Sequence, residues 1–263
     1  MCNSQIRNFL WLTPDLAQQL RTLKFLVVGC GGTGNLFSIF LASIGAKHVT
    51  VADSDRLEAS NLNRFLPANL SCVGQSKVEL TCDYIRSRFE GQFTPVQESF
   101  PSEQIRSLIC ESNYVVCCID TIHSRIELDL YCRRMDKILV DIGTGFAMNE
   151  SRTSVESGGG QVLVSKPKSA CLMCMGFSDF WSNKNYFLAN LETPEPSSLL
   201  LNSIVVGLAL EQVLSDLTCP SETQSIRVAY DRASMSIKTE LYDVSEACPI
   251  CGPQGRQDIK EIL

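Results

Sequence analysis

The chain has 263 residues, enough for one large α/β domain or two small ones with an ample core, and 44% of them are hydrophobic, ordinary for a globular protein. Lysine and arginine number 23 against 29 aspartates and glutamates, a net charge of −6 that argues against a nucleic-acid platform and against docking on an anionic membrane. The longest apolar segment, Leu199 to Leu217, is interrupted by Asn202, Glu211 and Asp216, which predicts a buried helix rather than a membrane span.

Met1 to Leu12 mixes polar and apolar residues without a cleavage pattern, so the expectation is a cytosolic chain. The 13 cysteines, several of them inside apolar stretches (Cys30, Cys117, Cys118, Cys132), then read as reduced thiols. Thr13-Pro14-Asp15 predicts a helix N-cap followed by proline at the first helical position. The strongest local signal runs from Lys24 to Asp53. Phe25 to Val28 is a continuous apolar run suited to a buried parallel strand. Gly29, Gly31 and Gly34 follow as G-x-G-x-x-G, with Gly32 inside the turn. Asn35 to Ile44 then has helical spacing, and His48 to Val51 is a second strand leading to Asp53. Strand, glycine turn, helix, strand and acid make a nucleotide-binding βαβ unit. The glycines let backbone N–H groups approach a phosphate, and the acid accepts from ribose hydroxyls. A plain tight turn is the alternative reading.

A polar loop, Ser54 to Gln75, comes next. Ser76-Lys77-Val78-Glu79 reads as a capping box opening a helix to about Phe89. Phe93 to Val96 reads as a weak strand, Ser102 to Cys110 as a helix, and Tyr114 to Ile119 as a buried strand ending at Asp120. Ser124 to Met135 is a helix and Ile138 to Val140 a strand, followed by Asp141 and Gly143-Thr-Gly145. Strands alternating with helices predict a doubly wound parallel sheet. The second part differs. Gly158-Gly-Gly160 precedes a strand, Gln161 to Val164, and a long loop, Lys166 to Ser198, leads to the apolar helix. Ser225 to Tyr230 and Met235 to Tyr242 then predict an antiparallel pair added to the sheet.

Three groups of residues carry chemistry. Cys171-x-x-Cys174 and Cys248-x-x-Cys251 offer four thiolates for a tetrahedral structural Zn²⁺, pinning the C-terminal tail to the long loop. A full thiolate shell leaves no open position for catalysis, and two unrelated pairs of buried cysteines are the alternative. Asn61, Arg64 and Lys77 follow Asp53 closely. Arg64 and Lys77 suit a triphosphate and the charge that develops on a pyrophosphate leaving group, more than a nicotinamide cofactor needs. Asp120, at the carboxyl end of a strand, suits Mg²⁺, an N-cap of the next helix, or both.

Taken together, Gly29-Cys-Gly-Gly-Thr-Gly34, Asp53-Ser-Asp55, Ser60-Asn61-Leu62-Asn63-Arg64, Gly74-Gln-Ser-Lys77, Cys118-Ile-Asp120 and both cysteine pairs resemble the ThiF/MoeB/HesA superfamily, the prokaryotic relatives of the ubiquitin-activating enzymes. The similarity covers Leu20 to Gly252. It implies a single ThiF-type adenylation domain over 1–263, with an N-terminal arm (1–21), a nucleotide-binding βα core (22–150) and a zinc-pinned substrate and crossover part (151–263). The implied fold is a Rossmann-like, mostly parallel sheet with antiparallel C-terminal strands and a four-cysteine zinc knuckle. The implied activity is ATP-dependent adenylation of the C-terminal carboxylate of a small β-grasp ubiquitin-like or sulfur-carrier protein, with no nucleic acid or membrane involved. Gly29, Gly31, Gly32 and Gly34 would lie at the phosphates and Asp53, with Asp55 beside it, at the ribose. Asn61, Arg64 and Lys77 would contact the phosphates, and Asp120 would hold Mg²⁺. The carboxylate nucleophile is already ionised at neutral pH, so catalysis is positioning and charge neutralisation rather than base chemistry.

The chain departs from the family in its arm, where Ser4-Gln5-Ile6-Arg7-Asn8 stands in place of an Arg-Tyr-x-Arg-Gln pattern, with Arg7 a candidate substitute and loss of the arginine the alternative, and at Phe65, where glutamine is frequent. A non-catalytic family member is therefore a second reading. An NAD-dependent oxidoreductase is a third, and it leaves Arg64, Lys77 and the cysteine pairs unexplained. Relatives that form a thioester on themselves use a cysteine in the crossover. Here Met175 to Ser198 has none, and Cys219 lies after the long helix, so no self-thioester is expected. The family habit and the apolar surface of the long helix together imply a homodimer.

Overall fold

The computed structural model of the protein describes residues 11–149, 151, 153–177, 196–220 and 224–253. Helix α1 (Pro14–Thr22) starts as its sequence dictates: Thr13 Oγ1 accepts the Leu16 N–H at 3.3 Å and Pro14 occupies the first turn. There follow β1 (Lys24–Val28), α2 (Gly32–Ser43), β2 (His48–Ala52), α3 (Lys77–Arg86), β3 (Gln92–Val96), α4 (Glu103–Glu111), β4 (Tyr114–Cys117), α5 (Ile122–Arg134), β5 (Ile138–Met148) and β6 (Val155–Ser165). Helix α6 (Leu199–Thr218) and the strands β7 (Ser225–Asp231) and β8 (Ser236–Tyr242) complete the order.

The strands form one eight-stranded sheet in the order β3-β2-β1-β4-β5-β6-β7-β8. β3, β2, β1, β4 and β5 are parallel neighbours, and β6, β7 and β8 are added antiparallel, which is the mixed sheet the sequence predicts. Helices cover both faces, so the parallel strands are apolar on both sides. Phe25 and Val27 point into a core shared with Leu36, Phe37 and Val205, while Leu26 and Val28 point into one shared with Ile105, Ile126 and Leu163. The strand period of two assigns alternate residues to opposite layers. Progress along the sheet reverses between β1 and β4. That reversal leaves a crevice at their carboxyl ends, where Gly29 to Gly34 and Cys118 to Asp120 emerge.

Helix α6 is long and apolar enough to span a membrane by length and composition, yet it packs on α2, β5 and β6. Leu201, Val205, Val206, Ala209, Val213 and Leu214 are buried, each larger side chain contributing roughly 1.5–3 kcal/mol. Leu200 and Ile204 remain 77% and 42% exposed. Its far end is tied down by a buried ion pair between Asp216 and Lys166, with the Tyr114 hydroxyl donating to Asp216 at 2.6 Å.

Several boundaries differ from the sequence reading. The capping box at Ser76 does not form: no side-chain hydrogen bond caps the N-terminus of α3, and Ser76 Oγ is buried without a partner. A reciprocal box forms instead between Glu58 and Asn61, at a short helical turn, Ala59–Asn61. Helix α3 ends at Arg86 rather than Phe89. Strand β4 ends at Cys117 because the chain must then cross over Gly29. The Cys118 N–H makes the last bond to Val28 O at 2.8 Å, and a Cβ at Gly29 would meet the Cys118 carbonyl at 2.6 Å. Asp120 therefore lies beyond the strand, and the N-cap of α5 is Thr121, not Asp120. Strands β5 and β6 each run to 11 residues and include Gly143, Gly145 and Gly158–160. The glycines hid this hairpin, since they are poor strand formers: Gly145 lies opposite Gly159, while Gly143, Gly158 and Gly160 face Gln161, Phe146 and Thr144. Gly160 lets α6 come close, as a Cβ there would stand 2.5 Å from Val205 Cγ2.

Candidate functional site

At the end of β1, Gly29 takes φ +94°, a left-handed conformation other residues resist, and its N–H donates to Ala52 O at 2.8 Å. A side chain at Gly34 would collide with Gly29 O at 1.9 Å, so α2 abuts the strand end directly. Gly31 differs: a Cβ there would meet nothing within 4 Å, and as N-cap it leaves α2 without a side-chain cap. The turn thus presents an uncapped helix N-terminus beside free space, the arrangement that attracts an anion.

Asp53 braces this turn. Its Oδ2 accepts the Cys30 N–H at 2.6 Å and its Oδ1 the Asp55 N–H at 2.8 Å. Each carboxylate oxygen keeps a further lone pair. Lys77, 8% exposed at the start of α3, reaches Asp55 Oδ2 at 2.8 Å. Arg64 Nη1 donates to Ser60 O and to Asn63 Oδ1, both at 2.9 Å. Asn61 turns inward on its own loop, its Oδ1 accepting the Glu58 N–H at 3.2 Å. A cavity of about 650 Å³ lies beside this loop, lined by residues including Asp55, Arg56, Glu58 and Val73.

Asp120 is exposed and lines a cavity of about 950 Å³ with Arg125, Gly145, Gly159, Asp231 and Lys238. Two residues here escaped the sequence reading. Arg125 Nε donates to Ile119 O at 2.7 Å, Nη2 donates to Ile142 O at 3.0 Å, and Nη1 lies 3.3 Å from Asp141 Oδ2. This guanidinium ties the Asp120 loop to β5. Burial pushes the Asp141 carboxyl above the ordinary carboxylate range, against the pull of Arg125. Asn35, fully buried on α2, donates to Gly31 O at 2.5 Å and to Arg64 O at 3.3 Å, joining the glycine turn to the arginine loop. Their only sequence signals were a polar residue in an apolar helical run and an arginine five positions after Asp120.

The four cysteines meet on the other face. Cys171 Sγ is 3.5 Å from Cys248 Sγ and 4.0 Å from Cys174 Sγ, and Cys174 Sγ is 3.4 Å from Cys251 Sγ. All four sulfurs lie within 4.8 Å of one another, with no other metal-sized cluster of His, Cys, Asp or Glu among the described residues. Hydrogen bonds within the cluster divide the four thiols: those of Cys174, lowered to about 6, and Cys248 are favoured as thiolates, while those of Cys171 and Cys251 are raised and keep their protons. The sequence reading is borne out here: the two pairs converge. The N-terminal arm with Arg7, and most of the crossover, lie outside the described residues.

A doubly wound α/β sheet, extended by antiparallel strands and carrying a four-cysteine cluster, defines the architectural class. Residues 3–246 match the ThiF family, and the chain belongs to that family. It is 34% identical to the molybdopterin-synthase adenylyltransferase of Escherichia coli (strain K12) over 119 residues, 45% of this chain and 48% of that protein. In that alignment, and in that with the tRNA threonylcarbamoyladenosine dehydratase of Haemophilus influenzae, the chain spans about half of the relative's length. It is 24% identical to the SAMP-activating enzyme E1 of Haloferax volcanii over 261 residues, 95% of this chain and 87% of that one. Among solved structures, E. coli MccB with AMPCPP and MccA superposes with a TM-score of 0.74 at 20% identity, covering 95% of this chain and 75% of MccB, a likeness of fold.

Proposed function

We propose that the protein is an adenylyltransferase that uses ATP to activate the C-terminal carboxylate of a small β-grasp carrier, ubiquitin-like or sulfur-carrying, releasing pyrophosphate. The observation that carries this reading is family membership across nearly the whole chain, with relatives named as adenylyltransferases of molybdopterin synthase and of the sulfur carrier ThiS. The structure supports it through the uncapped turn at Gly31, with the cations Arg64 and Lys77 on the loop and helix that follow β2. An NAD-dependent reading has no use for these cations.

In this reading, residues 22–150 bind nucleotide and 151–263 receive the carrier, as parts of one unit. Gly29, Gly31, Gly32 and Gly34 shape the phosphate site, Asp53 takes the ribose hydroxyls with its remaining lone pairs, and Asp55 holds Lys77. Arg64 and Lys77, with Asn61 on the same loop, offset the charge passing to pyrophosphate as a carboxylate oxygen attacks the α-phosphorus in line. Asp120 suits Mg²⁺, which supplies positive charge to phosphate oxygens. The four thiols fit Zn²⁺ in number and spacing, as a closed structural site. Exposed Leu200 and Ile204 on α6 fit a homodimer contact.

ATP–pyrophosphate exchange driven by the cognate carrier tests this. Exchange that needs Mg²⁺ and is lost in Asp120→Ala at an unchanged melting temperature is the expected result. NAD binding without ATP binding in calorimetry would overturn it.

A further inference from the structure

Asn202 lies in the first turn of α6, just after the crossover, and is 1% exposed. Thr144 Oγ1 on β5 donates to its Oδ1 at 2.8 Å, which fixes the carboxamide with its Nδ2 turned away from Thr144. That Nδ2 donates to Ser197 Oγ at 3.5 Å and packs on the glycine turn: a Cβ at Gly32 would stand 2.4 Å from it. The same Cβ would stand 3.1 Å from Arg64 Cδ, so Gly32 is held between Asn202 and the aliphatic stem of Arg64. The circuit closes through the loop. Arg64 Nη1 donates to Asn63 Oδ1 at 2.9 Å, and Asn63 Nδ2 donates to Ser197 O at 3.2 Å.

We infer that Asn202 is a positioning residue for Arg64. This rests on the adenylation reading, in which Arg64 meets the phosphates. A buried carboxamide is costly unless its groups are satisfied, and this one meets three separate elements: β5, the glycine turn and the end of the crossover. It fixes the floor against which the Arg64 stem lies and the serine to which Asn63 is anchored. The guanidinium thereby reaches the phosphate site already oriented, so less of the binding energy goes to ordering it. The same circuit attaches the returning crossover to the phosphate end of the site, so that nucleotide and carrier elements share one anchor.

The test is a double-mutant cycle read by calorimetry with Mg·ATP and with AMP, on the full chain. Asn202→Ala is expected to weaken ATP binding by about tenfold and AMP binding hardly at all, and to add little when Arg64 is already alanine. Thr144→Val, which leaves Asn202 in place but unlocked, is expected to give a smaller loss of the same kind. Equal losses with Arg64 present and with Arg64→Ala already in place, or parallel losses for ATP and AMP, would show a merely structural asparagine and overturn the inference. Failure of the unsubstituted protein to bind ATP, or full affinity in Arg64→Ala, would instead overturn the adenylation reading beneath it.

Discussion

Lys77 Nζ and Asp55 Oδ2 stand 2.8 Å apart in an asymmetric pair, the lysine side chain 11% exposed and the aspartate 63%. Helix α3 buries the stem of Lys77 and leaves its charge at the glycine turn, held by a partner in contact with water. A partner so exposed adds little stability, about 0–1 kcal/mol, so the pair is better read as aiming the ammonium than as holding the fold. Lys77→Ala is expected to slow ATP–pyrophosphate exchange by about 100-fold, while Asp55→Asn moves the melting temperature by no more than ~2–4 °C. Unimpaired exchange in Lys77→Ala would remove this lysine from the proposed phosphate site.

Asp141 gives stability a definite pH dependence. Burial raises its carboxyl pKa in the folded protein, so above pH 4 the unfolded chain ionises first and binds fewer protons. Its contribution therefore declines as pH rises from about 4 through the raised value, at a slope of at most about 1.4 kcal/mol per pH unit. Urea unfolding of Asp141→Asn alongside the unsubstituted protein should show the aspartate form losing ground over that window. A difference that stays flat, or grows in favour of aspartate, would show that Arg125 outweighs burial.

The cysteine cluster predicts one Zn²⁺ per chain in reduced protein. Cys248→Ser should lower zinc content and the melting temperature by at least ~6 °C, about 2–3 kcal/mol for a chain of this size. Absence of zinc by elemental analysis of freshly purified protein would exclude the site.

Burial pushes the thiols of Cys82 and Cys118 up to about 12 and raises Cys30, Cys117 and Cys132 as well, so none of these is a nucleophile at neutral pH. Cys110 and Cys219 are exposed. Iodoacetamide at pH 7.5 should label these two well before the buried set, which should react only on unfolding. Incubation with carrier and ATP should yield adenylated carrier and no reducible enzyme–carrier band. Such a band, lost in Cys219→Ala, would place the acceptor thiol on this chain.

The doubly wound core was legible because Phe25 to Val28 and Tyr114 to Cys117 are apolar on both faces, and because helix starts such as Thr13-Pro14 and Ser102 state their own caps. The cysteine pairs were legible from local spacing alone, although the contact between them is long-range. The β5–β6 hairpin was not, since the pairing of its glycines lies in the partner strand rather than in either segment. Asn35, Arg125 and Asn202 act by joining elements 16 to 58 residues apart, and a single sequence carries no mark of such pairings. Asn61 was picked out by motif, but the local contact of its Oδ1 with the Glu58 N–H carried no sequence mark.

Cys171 and Cys248 meet across 77 residues, so the sulfur cluster converts α6, β7 and β8 into a ring closed at one point. The entropy lost in closing a flexible ring grows only with the logarithm of its length, about 0.6 kcal/mol per doubling. A longer ring should therefore cost the fold little, while the clasp and the parallel core stay fixed.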